Sequence, residues 1–521
     1  MKHSSLYSAE TFSVKHGIIC IRNISKLPDN IQKKLYTIVA QYKQTWNCIN
    51  DIVKLPQFIT HNNQQVNLAV QLGKALPYTS PKVKRLTSTS PTHRIIEAQE
   101  PRNSIERARQ YAAVLQAKKD LIIQTLTTYE THAVALDEFG RTIDLLTNLS
   151  ENAMYFSGRV HSTTVFLPRN QPLYTFVSFA VVPAFMSTEV HLKPPASMKH
   201  LFFDLMDVIE INTYVPNIHF SHLGRQEFIE ERSRQQKNFL STKTLSTDVV
   251  IFTGKPQNGN ILRKKFHPNT LFIMNGAAHN PIVVTEDADI RAAVDSACEV
   301  VLYNQGQDCA APNSILVHQH VLPNFINELR SSLEQVVVGD YHDPKTRVGP
   351  ITCMEDLARI QKLFIEHKKW LDPSTPGVIH TAKHLVYPTI IVKPLKDGGH
   401  YNELFAPIFM IQPYERDGDL AHYFENRQYA PHAGYITVFG ESKYVNSLID
   451  QPLFDGTVLH DTSTIIHNTN LHAPGIERGT KPYGGYGRNA SCVSINGIID
   501  AKPTLPQREI YEYLIQNQSS Q

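Results

Sequence analysis

The chain has 521 residues, 41% hydrophobic and 19% charged, a balance that excludes disordered and fibrous classes and a length that implies roughly two to four units of ordinary domain size. Its 51 basic and 48 acidic residues leave a formal net charge of +3, too weak a field to recruit nucleic acid or an anionic membrane. Six cysteines (Cys20, Cys48, Cys298, Cys309, Cys353, Cys492) scattered without a CxxC pair fit neither a disulfide framework nor a zinc site.

The N-terminal MKHSSLYSAETF has no apolar h-region, and the longest apolar stretch, Phe176 to Met186, is broken by Ser178 and Pro183, so the expectation is a cytoplasmic protein with no membrane association. Residues 1 to 100 carry weak patterns; Lys82 to Arg85 reads as a solvated basic loop and 86–92, rich in Ser, Thr and Pro, as a connector. Apolar positions at Ile105, Ala108, Ala112, Leu115, Ile122 and Leu126 then mark a helical face, and Leu136, Phe139, Ile143 and Leu146 mark a second. Short β-branched runs follow at 163–168, 189–195 and 248–254, with the amphipathic stretch Met198 to Ile209 between them. That alternation predicts an α/β fold with a parallel sheet covered by helices on both faces. NPIVV (280–284), a helical segment from Ala288 and SILVH (314–318) predict a second such domain. The tail 502–514, KPTLPQREIYEYL, suits an arm lying on a neighbouring surface. None of the 24 histidines sits in HExxH or a comparable pattern, so no metal site is expected.

Chemistry concentrates in NQGQDCAAPN at 304–313. A cysteine thiolate adds readily to a carbonyl carbon, and this segment resembles the GQxC segment of the aldehyde dehydrogenase superfamily, which places Cys309 at the nucleophile position. PRNQP at 168–172 is similar to the family's PWNFP, which makes Asn170 the amide donor that, with the Cys309 backbone N–H, would form an oxyanion hole; 139 residues separate the two, as in the family. The resemblance implies a cofactor, NAD or NADP. Lys193 of LKPP takes the place of the KPSE lysine at the adenosine ribose, and FTGKPQNG (252–259) resembles FTGSxxxG, with Gly254 and Gly259 at the turn and the close approach to a pyrophosphate. ELFAP (403–407) resembles EIFGP, which assigns Glu403 to the nicotinamide ribose and Phe405 to the nicotinamide. KPYGGYG (481–487) is similar to the PFGGYK loop at the substrate mouth.

The pattern breaks at the general base. Thirty-four residues before Cys309, where the family carries the glutamate of ELGGK, stands Asn275, which is not a competent base. Its loss removes assistance to hydrolysis worth about 10²–10⁴-fold. The CoA-acylating branch of the superfamily also carries asparagine here and releases its acyl group to a thiol. Ala196 replaces the KPSE glutamate, which admits NADP, and Lys255 replaces a serine beside the pyrophosphate, adding a cation where phosphates are expected. Arg169 stands for the tryptophan of PWNFP, and Ala277 and Ala278 stand for paired glycines.

These features predict an aldehyde dehydrogenase-like α/β chain with two doubly wound parallel-sheet domains and a small bridging sheet. The expected boundaries are 1–148 and 163–275 for the dinucleotide-binding domain, 276–489 for the catalytic domain, and 149–162 with 490–521 for bridging segments that would join a homodimer or homotetramer. The expected activity is aldehyde oxidation with NAD(P)⁺ through a Cys309 thiohemiacetal and a thioacyl intermediate. CoA-acylating dehydrogenation or acyl-CoA reduction, with CoA or another thiol as partner, is one alternative. A catalytically impaired scaffolding protein is the other.

Overall fold

The computed structural model describes residues 97–237, 243–449, 482, 484–485 and 487–518, and the backbone of the strands Phe12–Lys15, Ile18–Ile21, Ile52–His61, Gln64–Gln71 and Val458–His460. Residues 1–88 cluster with 446–455 as one unit, and the remainder forms a second. The first unit contains a four-stranded sheet in which Ile52–His61 and Gln64–Gln71 form a hairpin and Ile18–Ile21 runs parallel to Gln64–Gln71. The sequence reading had drawn its first boundary at 148.

The second unit begins with two helices, Pro101–Ala117 and Lys119–Leu126, separated at Lys118. Pro101 opens the first helix where a missing N–H costs nothing, and the expected face (Ile105, Ala108, Ala112, Leu115) is buried together with Tyr111. The helix His132–Asn148 is turned by about one residue from the expected face: Leu136 is exposed, while Ala135, Phe139, Leu145 and Leu146 enter the core. Glu138 explains the rotation, because its carboxylate is drawn inward to accept the Tyr174 backbone N–H at 2.7 Å.

Five parallel strands form the centre of the larger sheet, in the spatial order Ile218–Phe220, Ser187–Lys193, Gly158–Phe166, Val249–Thr253 and Leu271–Asn275. Ser491–Ile495 joins antiparallel at the Leu271–Asn275 edge and hairpins into Ile498–Ala501. Asn496 and Gly497 supply that turn with left-handed φ of 54° and 78°, the conformation a two-residue hairpin needs. The helix Pro506–Gln518 then packs on the chain's own sheet, burying Ile510, Tyr513 and Leu514. The tail expected to lie on a neighbouring surface is therefore an internal element: its apolar residues recur at helical spacing behind an N-terminal proline. The segments 149–157 and 506–518, both read as bridging pieces, touch each other here through Tyr155 and Tyr511 (5.5 Å) and Asn152 and Gln507 (3.3 Å).

A second sheet, parallel throughout, has the order Thr389–Val392, Ile408–Tyr414, Ile315–His318, Ile282–Val284, Ile436–Phe439 and Val458–His460. Helices Ile290–Leu302 and Leu322–Leu333 close its core, the first capped by Asp289, whose carboxylate accepts the Ala292 N–H.

Candidate active site

Parallel strands carry their following loops at one edge, where ligands of doubly wound sheets bind. In the first sheet Thr253 pairs with Asn275, Phe252 with Phe166, and Phe166 with Lys193, so these residues form one row along the carboxyl edge. Asn170 follows Phe166 by four residues, and Gly254 follows Thr253. The row thus gathers Lys193, Gly254, Asn170 and Asn275 from segments spread over more than one hundred residues.

Gly254 has φ +148°, and its N–H bonds to the Asn275 carbonyl at 2.9 Å, which ties the loop to the neighbouring strand. Lys255 caps the helix Pro256–Arg263. Pro256 has no N–H, and the N–H groups of Asn258 and Gly259 both bond to the Lys255 carbonyl, so the exposed Lys255 ammonium is the main positive charge at this helix start. Gly259 works inside the fold: a Cβ there would stand 2.6 Å from the Met274 sulfur and 3.0 Å from the Phe252 ring. Its role is close helix–sheet packing. Lys193 donates to the Leu223 carbonyl.

Cys309 lies in a turn between the 3-10 segment Tyr303–Gly306 and the strand Ile315–His318. Three successive residues before it, Asn304, Gln305 and Gly306, have left-handed φ of 46°, 57° and 72°. Such backbone is unfavourable for the two that carry side chains and needs external restraint. Restraint is present: the Gln305 amide donates to the Tyr341 hydroxyl and its carbonyl accepts the Gly349 N–H, while the Asn304 amide donates to the Gln307 carbonyl. After the cysteine, the buried Asn280 amide donates to the carbonyls of Cys309 (2.8 Å) and Ala311 (3.3 Å) and accepts the Tyr435 N–H (3.1 Å). The Asn280 N–H is itself received by Asn313.

Two contacts assemble the pieces. The side chain of Gln171, itself left-handed at φ 51°, donates to Asp308 at 2.5 Å, joining the residue after Asn170 to the residue before Cys309. Gly306 lies so close to the Ala406 backbone that a Cβ would meet its carbonyl oxygen at 2.2 Å, which presses the cysteine loop against ELFAP. A small cavity results, walled by Gly306, Asp308, Ala311, Glu403 and Phe405. Phe405 has φ +47°, a rare conformation for an aromatic residue. No protein group among the described residues holds the Asn170 side chain.

The electrostatics follow from burial. Cys309 is a partly exposed residue, yet its thiol is pushed well above the ordinary thiol range by desolvation and then by Asp308 and Glu403. Burial also raises the Glu403 carboxyl, to about 7, against the opposing pull of Arg359 and Lys255. Asp308 is raised by burial and partly relieved by the Ala310 N–H and Gln171. Asn275 is buried, its carbonyl oxygen accepting the Thr504 hydroxyl at 2.7 Å and its amide reaching Thr253 at 3.4 Å. His279 is kept neutral, its pKa lowered to about 3 by burial and then by His432, on which it stacks at 4.8 Å.

An aldehyde dehydrogenase family model matches residues 96–442 of the chain. The chain belongs to the aldehyde dehydrogenase family. Lactaldehyde dehydrogenase of Methanococcus vannielii is 25% identical over 369 residues, 68% of this chain and 74% of that protein. Aldehyde dehydrogenase family 3 comG of Dictyostelium discoideum is 26% identical over 261 residues, 49% of this chain and 53% of its own length. The chain thus spans about half the length of relatives such as comG. Glyceraldehyde-3-phosphate dehydrogenase GapN of Methanocaldococcus jannaschii, in complex with NADP, superposes with TM-score 0.61 at 18% identity over 79% of this chain and 88% of that one. A betaine aldehyde dehydrogenase of Staphylococcus aureus in complex with NAD⁺ gives 0.59 at 17% identity over 78% and 85%. Among the described residues no helix is long and apolar enough to cross a membrane.

The sequence did not single out Gln171, Asp308, Asn313 or Thr504; Asn280 stands out in it only as the asparagine of HNP at 279–281, which keeps the end of the family's general-base motif. Of the substrate-mouth loop 481–487, positions 481, 483 and 486 lie outside the described residues.

Proposed function

We propose that this chain oxidises an aldehyde with NAD⁺ or NADP⁺ and that Cys309 is the nucleophile. The observation that carries this reading is the assembly beside the thiol: Gln171 bonds to Asp308, linking the Asn170 loop to the residue before Cys309, and the Gly306–Ala406 approach sets Glu403 and Phe405 in one cavity with Asp308.

The carboxyl-edge row fits a dinucleotide: the Lys255 cation at a helix start, the glycine turn at 254, and Lys193 at the next strand end but one suit phosphates and a ribose. A bound nicotinamide supplies the hydride acceptor. The protein's own part starts with attack of the Cys309 sulfur on the carbonyl carbon. Two carboxyls act on the thiol electrostatically. Asp308 is engaged by Gln171 and the Ala310 N–H, and Glu403 keeps the nicotinamide-ribose position that the family resemblance gives it, so the thiol proton passes to water as the sulfur adds. Asn170 and the Cys309 N–H receive the developing oxyanion. Loss of hydride from the thiohemiacetal carbon, with its hydroxyl proton released, leaves a thioester on Cys309.

The fate of that thioester turns on Asn275. An amide locked between Thr504 and Thr253 cannot deprotonate water, so hydrolysis is slow. This favours, as a second reading, acyl transfer to a thiol such as CoA; acyl-CoA reduction is the same chemistry reversed. Either reading is compatible with a homodimer or homotetramer, whose contacts would involve surfaces of 149–162 and 490–521. Single-turnover mixing with NAD⁺ or NADP⁺ and a panel of aldehydes tests the proposal through the absorbance of reduced cofactor. A burst that stalls and resumes on adding CoA supports it. Absence of a burst throughout the panel, together with absent nucleotide binding, overturns it in favour of a scaffolding protein.

A further inference from the structure

The strand Ile315–His318 has the cysteine loop at its amino end. At its carboxyl end it carries His318 and, two residues on in the following turn, His320. Its parallel neighbour Ile282–Val284, in register through Val284 and Val317, ends beside it and continues to Glu286. Two imidazoles and a carboxylate therefore converge at the sheet edge opposite Cys309. The Glu286 Oε2 lies 3.3 Å from the His320 Nδ1 and 4.0 Å from the His318 Nδ1, and one ligand atom from each of the three residues falls within 4.8 Å of the others.

We infer that Glu286, His318 and His320 form a binding site for a zinc-class divalent cation. Tetrahedral zinc with metal–nitrogen and metal–oxygen bonds of about 2.0–2.2 Å places its ligand atoms about 3.3–3.5 Å apart. One pair already meets that spacing, and the remaining closure is about 1 Å or less per ligand. The residues that must move are free to do so: the side chains of His320 and Glu286 are 69% and 64% exposed. The residue that must stay is anchored. His318 is buried, its ring packed edge-on against Tyr414 at 5.3 Å, and the Tyr414 hydroxyl donates to the Val284 carbonyl. The turn is fixed by the Gln319 N–H bonding to the Tyr414 carbonyl. One bond competes, from the His320 N–H to the His318 Nδ1, and at 3.4 Å it is long enough for a metal to displace. Asp287, the nearest other carboxylate in sequence, is turned to Thr285 and the Glu441 N–H and adds no ligand. Two nitrogens and one oxygen select zinc over magnesium or calcium, which prefer all-oxygen shells, and leave a fourth position to water. Bound there, the cation ties together the ends of two adjacent strands.

The test is equilibrium dialysis of the full chain against Zn²⁺ alone, with metal counted per chain. Cys309→Ser is the background, so that the thiol does not contribute. The expected result is one more equivalent in this background than after adding His318→Ala and His320→Ala, a Zn²⁺-dependent rise in unfolding midpoint confined to the former, and no equivalent uptake of Mg²⁺. His320→Ala alone removes an exposed side chain, so folding is not at issue, and it is expected to weaken binding at least tenfold. Equal zinc stoichiometry with and without the histidines, or an unchanged affinity in His320→Ala, overturns the assignment.

Discussion

Replacing Gly306 by alanine adds one methyl group at the tightest joint of the site. The methyl carbon would stand 2.2 Å from the Ala406 carbonyl oxygen and 2.6 Å from its carbon, against backbone that has no side-chain rotamer with which to yield. Alanine at φ +72° costs about 1–2 kcal/mol by itself, and forcing apart packed backbone adds about 1–3 kcal/mol. The sum, about 2–5 kcal/mol, is a large part of the total stability of an ordinary domain, about 5–15 kcal/mol. Any relaxation moves ELFAP, and with it Glu403 and Phe405, so activity falls further than stability alone requires. Gly140→Ala serves as the control: this glycine sits exposed within the helix His132–Asn148 with no atom within 4 Å of its would-be methyl, and alanine there stabilises by about 0.4–1 kcal/mol. Urea unfolding of the two variants beside the parent measures both effects. A Gly306→Ala protein within about 0.5 kcal/mol of the parent would refute the close approach of the two loops.

Asn280→Ala orphans the buried Tyr435 N–H and releases the carbonyls of Cys309 and Ala311, and is expected to cost about 1–3 kcal/mol in urea unfolding together with most of the activity. Thr504→Val leaves the buried Asn275 oxygen without its hydroxyl donor; its unfolding midpoint should drop while a Cys309-dependent burst persists, and loss of the burst with stability intact would show that Asn275 acts in chemistry. Glu403 has its folded pKa raised to about 7 from an unfolded value of about 4.3, so its contribution is intact below pH 4 and is lost as pH rises through 7. Glu403→Gln should therefore lose less stability than the parent between pH 5 and pH 8, and parallel pH profiles would contradict that. The Cys309 thiol, held protonated by burial and by Asp308, should alkylate with iodoacetamide more slowly than a free cysteine at pH 8, and Asp308→Asn should speed the reaction.

The strands around the site were legible because each is a short β-branched run followed by turn residues. What escaped the sequence was whatever depends on partners far along the chain. Thr504 and Asn275 are 229 residues apart, and nothing near either announces the bond between them. Gln171 and Asp308, 137 apart, were hidden likewise, each looking like an ordinary loop residue. Gly259 was visible as a glycine, yet only Met274 behind it shows that its task is packing. The histidines at 318 and 320 stood in plain view, but their carboxylate comes from the neighbouring strand and appears only once the parallel register is known.

Cys309 as the carrier of the acyl group is tested most directly by peptide mass spectrometry after a single turnover with aldehyde and NAD⁺ or NADP⁺, quenched in acid before any thiol is added. The expected result is the mass of the acyl group on the peptide containing Cys309, cleared by CoA and absent without the dinucleotide. An acyl adduct on another cysteine, or reduced cofactor formed with Cys309 unmodified and replaceable by alanine, would contradict it.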